Sequence, residues 1–143
     1  MADRGMLRAL DALVGEWTTE ASHPAFPSTV VHGHTSFEWL GGERFLIVRA
    51  RSDHPEFPDS ISVIGDTDGL RMHYFDSRGV HRLYEVSASE DTLEFSRDAP
   101  GFAQRFIGNF EEGGHRISGL WKLSRDNSTW EDDLQITYRR RPE

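Results

Sequence analysis

The stretch LRMHYFDSRGVHRLYEVS, Leu70 to Ser87, decides the fold class. It reads as two strands, Leu70–Asp76 and Val80–Ser87, about the turn Asp76-Ser77-Arg78-Gly79. The same rhythm runs outward in both directions. Upstream it gives strands at Glu16–Ser22, Thr29–Leu40, Arg44–Ser52 and Ser60–Gly65; downstream at Thr92–Ser96, Phe102–Glu111, His115–Leu123 and Thr129–Arg140. No helix interrupts these ten strands, so there are no βαβ units and no parallel sheet. Short connections predict an up-and-down meander, and closure into a barrel removes its open edges. The expectation is one domain over residues 1–143, an all-β, ten-stranded antiparallel up-and-down β-barrel.

One helix precedes the strands. Met6, Leu7, Leu10, Leu13 and Val14 form a stripe of 3.6-residue period, with Asp3 as N-cap and Gly15 as terminator. Its apolar face is expected to plug one end of the barrel. Charges at Asp3, Arg4, Arg8 and Asp11 exclude a signal peptide or membrane span in this segment.

A chain of 143 residues with nine Phe, four Trp and three Tyr can bury a sizeable core. The formal charge of −8 repels phosphate backbones and argues against nucleic acid. Without cysteine there are no disulfides, thiolate metal sites or cysteine nucleophile. A cytoplasmic protein with no membrane association is the default expectation.

In a meander, alternate turns lie at opposite ends. Gly41-Gly42, Asp66-Thr67-Asp68-Gly69, Ser89-Glu90-Asp91 and Glu112-Gly113-Gly114 are plain hairpins at one end. The other end carries the motif His-Pro-x-Phe-Pro twice, at His23–Pro27 and His54–Pro58. Beside these stand Asp76 and Arg78, Arg97 and Asp98, and Arg125 and Asp126. This decorated end is the expected mouth, framed by His23, Phe26, His54, Phe57, Asp76 and Arg78. Proline and aspartate also simply end strands, so the one-sidedness carries the argument.

Gly15-Glu16-Trp17 after a short helix, with Arg139 or Arg140 on the last strand, resembles the calycin pattern. The resemblance extends to the strand plan and to Trp130-x-x-Asp133-Leu134-x-x-x-Tyr138-x-Arg140. Small bacterial calycin-like proteins with ten strands are the nearest likeness. It implies a lipocalin-like barrel with a Gly-x-Trp packed against a late arginine at the closed end. Ten strands leave room for an interior cavity. Nitrobindin, a haem-binding relative, carries a His before a Leu on its last strand. Asp133 stands at that position here, and a carboxylate is a poor axial ligand, so haem is not expected.

His32-x-His34-x-x-x-Glu38 resembles the first cupin metal motif. The alternate residues Val31, Gly33, Thr35, Phe37 and Trp39 make the more natural interior, which turns the histidines outward. His73 has no nucleophile signature near it.

Tyr74, Tyr84, Arg97, Phe102, Gln104, Phe106, Trp130 and Asp132 are the candidate ligand-binding residues: aromatic walls with a few convergent polar groups. Arg97, Arg105 and Arg78 suit an anionic ligand group, or pair with Asp76, Asp98 and Asp126. The apolar parity of the last strand places Trp130, Asp132, Leu134, Ile136 and Tyr138 inside. The nitrobindin likeness places Asp133 inside instead, leaving an outward apolar stripe for a homodimer. The leading expectation is a barrel binding a small, partly apolar molecule, with no cofactor. An enzyme using mouth His and Asp residues, or a metal-dependent cupin-like enzyme, are the alternatives.

Overall fold

A computed structural model describes residues 5–142. Ten antiparallel strands close into one barrel: β1 (Gly15–His23), β2 (Phe26–Trp39), β3 (Phe45–Ser52), β4 (Ser60–Asp66), β5 (Leu70–Asp76), β6 (His81–Ala88), β7 (Thr92–Arg97), β8 (Ala103–Glu111), β9 (Arg116–Ser124) and β10 (Glu131–Arg140). Each strand pairs with its sequence neighbours, and β1 pairs with β10 to complete the ring. The sequence reading holds to within a few residues at every strand. Its largest error is at β2, which begins at Phe26 rather than Thr29.

The helix, Gly5–Leu13, is 3-10 rather than α. Three residues per turn align Leu7, Leu10 and Leu13, which are buried, and turn Met6 and Val14 outward. The predicted stripe was therefore right in its leucines and wrong in its period. The Asp3 cap lies outside the described residues. Leu7, Leu10 and Leu13 join Trp17, Leu46, Ile64, Leu70 and Leu93 in the core at the hairpin end, and so plug the floor.

The Gly-x-Trp feature closes the floor. Trp17 is fully buried, and its indole N–H donates to the Leu13 carbonyl at 2.8 Å. Arg140, not Arg139, lies over the Trp17 ring with its guanidinium carbon 4.2 Å from the centroid. The same guanidinium donates to the Val14 and Ala12 carbonyls at 2.6 Å each, satisfying groups the helix end leaves open. Gly15 is required here: its φ is +131°, and a Cβ would lie 2.8 Å from the Arg140 guanidinium.

Candidate functional site

Inward positions follow from the registers, and they make two unlike walls. On β5 to β9 most inward residues are bulky, with Gly108 and Gly119 making room for the Phe106 ring. Tyr84 stands edge-on to Tyr74 at 6.4 Å and to Trp121 at 5.6 Å. Phe106 stacks on Phe95 at 5.3 Å and meets Trp121 at 5.0 Å. On β1 to β4, apart from Val31 and Val48, the inward residues above the floor are small: Thr19, Ala21, Gly33, Thr35, Ala50, Ser60 and Ser62. An aromatic wall thus faces a hydroxyl wall.

Solvent-accessible surface remains between the walls. Val48, Tyr74, Trp121, Ile136 and Tyr138 point inward yet remain only half-buried. Thr19, Thr35 and Ser62 are more than nine-tenths buried. Among the described residues, no protein group bonds to their hydroxyls or to that of Tyr138, and none of the four is sealed from solvent. Removal from bulk water pushes the Tyr138 hydroxyl up to about 12. Unpaired polar groups lining a half-enclosed space are poised for water or a ligand.

Nearer the mouth the polar groups pair. Tyr84 donates to the Gln104 side-chain carbonyl at 2.9 Å, and burial raises its pKa. Tyr74 donates to Asp76 at 2.7 Å, while Arg78 grips the same carboxylate at 2.6 Å. The Asp76 side chain has no solvent-accessible surface. The Arg78 guanidinium, then the Tyr74 hydroxyl and the Arg78 backbone N–H, hold the Asp76 carboxyl well below the usual carboxylate range. Burial and the Asp76 hydrogen bond drive the Tyr74 pKa upward.

A depressed carboxyl pKa stabilises the fold above its unfolded value of about 4, and that contribution fades as pH falls below it. Asp76→Asn should therefore be less stable than the native protein at neutral pH. The gap should narrow progressively below about pH 4. Urea unfolding at stepped pH measures it, and a gap that is flat with pH would rule out this role for Asp76.

The repeated His-Pro-x-Phe motif is one local device built twice. In each copy the backbone N–H two residues on donates to the histidine Nδ1: Ala25 to His23 at 3.0 Å, Glu56 to His54 at 3.2 Å. The phenylalanine rests against its own histidine, Phe26 at 6.3 Å and Phe57 at 5.7 Å. These rings brace their turns; Phe26 is 66% exposed. The turn at 54–58, with Ser77 and Arg78, encloses a rim depression of about 400 Å³. His23 also reaches Asp133 at 3.3 Å.

The last strand resolves its own ambiguity with a β-bulge. Asp132 pairs with Lys122 and Gln135 with Leu120, so Asp133 and Leu134 together oppose Trp121. The extra residue switches parity. Ile136, Tyr138 and Arg140 face inward, while Trp130 and Asp132, both expected inside, lie outside. Trp130 packs under Arg105 at 4.8 Å and Asp132 meets Lys122 at 3.5 Å. Arg105, itself on the outer face, also meets Asp98 at 3.7 Å. Asp126 caps its own turn by accepting the Thr129 and Ser128 N–H groups.

His32, His34 and Glu38 point outward and do not converge. Asp53 accepts the His32 backbone N–H at 3.1 Å, His34 meets Glu16 at 3.0 Å, and Glu38 meets Arg49 at 3.7 Å. Among the described residues, no group of three His, Asp or Glu side chains is arranged to hold a metal. His73 reaches Thr67 at 3.2 Å. Outward apolar residues gather across β4 to β6, at Ile61, Phe75 and Leu83, with Val30 on β2 and Ile107 on β8 apart from them, rather than along β10.

Sequence reasoning placed Thr35 inside but missed Trp121, Thr19, Ser62 and Arg82. Trp121 was signalled by the alternation Ile117, Gly119, Trp121, Leu123, and Arg82 by sharing parity with Tyr84.

No family model and no curated protein matches the chain. Solved structures do. Rv2717c from M. tuberculosis is 14% identical, with a TM-score of 0.68 over 96% of this chain and 98% of that one. EF1p2_mFAP2b bound to DFHBI is 12% identical, with a TM-score of 0.49 over 95% and 99%. Among the described residues, no helix is long and apolar enough to cross a membrane. What the likeness to Rv2717c establishes is the fold: this chain is a ten-stranded antiparallel barrel of that architecture.

Proposed function

We propose that the protein binds a small, partly apolar molecule inside the barrel, between the aromatic wall of Tyr74, Tyr84 and Trp121 and the hydroxyl wall of Thr19, Thr35 and Ser62. One observation carries this reading. Three nearly buried hydroxyls face the interior with no protein partner among the described residues, opposite aromatic rings that are only partly buried. A packed core satisfies such groups internally. A ligand site leaves them for the guest.

The Gly15-x-Trp17 floor under Arg140 supports placing the chain among calycin-like barrels. Haem does not fit: Asp133, at the position of the nitrobindin ligand, is a carboxylate already engaged by His23. The His23–Asp133 pair reads as a clasp between β1 and β10 rather than acid–base machinery, because the Ala25 N–H occupies the His23 Nδ1.

Native mass spectrometry of the purified protein tests the reading. A discrete adduct that dissociates on denaturation is the expected result. Ala50→Trp fills the space from the small-residue wall and should abolish the adduct while leaving the far-UV circular dichroism unchanged. Retention of the adduct in a folded Ala50→Trp variant would place the ligand elsewhere.

A further inference from the structure

Two arginines inside the mouth have no acidic partner among the described residues. Arg82 shares the inward parity of Tyr84, and its guanidinium carbon sits 5.4 Å from the Phe102 ring centre. Arg97, on the inward parity of Phe95, donates to the Phe102 carbonyl at 3.0 Å. Both are half-buried, and among the described residues neither forms an ion pair with a carboxylate. Acidic groups at the mouth have partners of their own: Asp76 has Arg78 and Tyr74, Asp98 has Arg105 on the outer face, and Asp133 has His23. Two unneutralised cations therefore converge on Phe102 and Tyr84, at the top of the aromatic wall, in a chain of formal charge −8. Partly desolvated cations without counter-charges are costly unless something negative joins them.

Resting on the binding reading above, we infer that the guest is an organic acid. Its oxyanion sits between Arg82 and Arg97, and its apolar, conjugated body runs down the face of Tyr84 and Trp121. A guanidinium fork matches a planar oxyanion and donates two parallel hydrogen bonds to it. The hydroxyls of Thr19, Thr35 and Ser62 then meet the far end of the molecule. This arrangement gives the site a charge sense as well as a shape: acid outward, aromatic or conjugated body inward.

A matched pair of fluorescent probes tests it. 1-Anilinonaphthalene-8-sulfonate and N-phenyl-1-naphthylamine share one ring skeleton and differ by the sulfonate. In the native protein the anionic probe should bind at least about tenfold more tightly than the neutral one, about 1.4 kcal/mol. Its affinity alone should fall as ionic strength rises. In the Arg82→Met/Arg97→Met variant the anionic probe should drop to the level of the neutral probe, whose own affinity should stay within about twofold. Equal affinities in the native protein, or a preference that survives in the variant, would overturn the inference. The salt dependence in unmodified protein decides the matter even if the double variant does not fold. Neutral-probe binding that persists in Ala50→Trp, or no binding of either probe to the native protein, would overturn the cavity reading beneath it.

Discussion

Trp17→Ala should cost about 3–5 kcal/mol of folding stability, the range for emptying a buried aromatic position. Trp17 has no exposed surface, and three things depend on its ring. The indole N–H satisfies the Leu13 carbonyl, the ring face supports Arg140, and its edge meets Tyr138 at 6.5 Å. Without the ring, Arg140 loses the surface that holds it against the Val14 and Ala12 carbonyls, and the helix loses its anchor. Urea unfolding followed by far-UV circular dichroism measures the loss. Trp17→Phe keeps most of the apolar area and gives up the indole hydrogen bond, so it should cost less than the alanine variant. A loss below about 1 kcal/mol for Trp17→Ala would mean that the floor does not depend on this ring.

The second large effect is a coupling between Phe106 and Gly119. A Cβ at Gly119 would lie 2.4 Å from the Phe106 ring, and that ring is boxed in by Phe95 and Trp121. Gly119→Ala should therefore cost about 1–3 kcal/mol through overpacking. Phe106→Ala, at a position 1% exposed, should cost about 3–5 kcal/mol through the cavity it leaves. The double variant should be more stable than the sum predicts, because the added methyl enters space the ring has vacated. Additivity within about 0.5 kcal/mol would show that the ring and the glycine do not constrain one another. Because Phe106 positions Trp121, both single variants should also shift the tryptophan emission.

Much of the architecture was legible in sequence because a strand writes its two faces in period two. The alternation Val31, Gly33, Thr35, Phe37, Trp39 placed β2 correctly and turned His32 and His34 outward. The last strand was not legible in this way. A bulge opposite Trp121 adds one residue, so a single parity cannot hold from Trp130 to Tyr138, and each competing reading was right for half the strand. The helix type was hidden because Leu7, Leu10 and Leu13 satisfy a three-residue repeat, whereas adding Met6 and Val14 imitates an α-helical stripe. The hydroxyl wall was hidden for a different reason. Serines and threonines on β1 and β4 look like a solvent face until the register closes them inside. Tyr74, Tyr84, Gln104 and Phe106 were legible because aromatic alternation marks a wall from either side.

The Arg140 clasp spans nearly the whole chain: its donors reach carbonyls 126 and 128 residues away in sequence. The β1–β10 pairing that closes the ring is equally long in range. During synthesis, therefore, the floor cannot be locked while the C-terminal strand is still inside the ribosome. The early strands wait as a meander whose first edge has no partner, and that edge is open to other chains. Folding of this barrel is gated by the arrival of its last strand, and aggregation of truncated chains is the hazard built into that order.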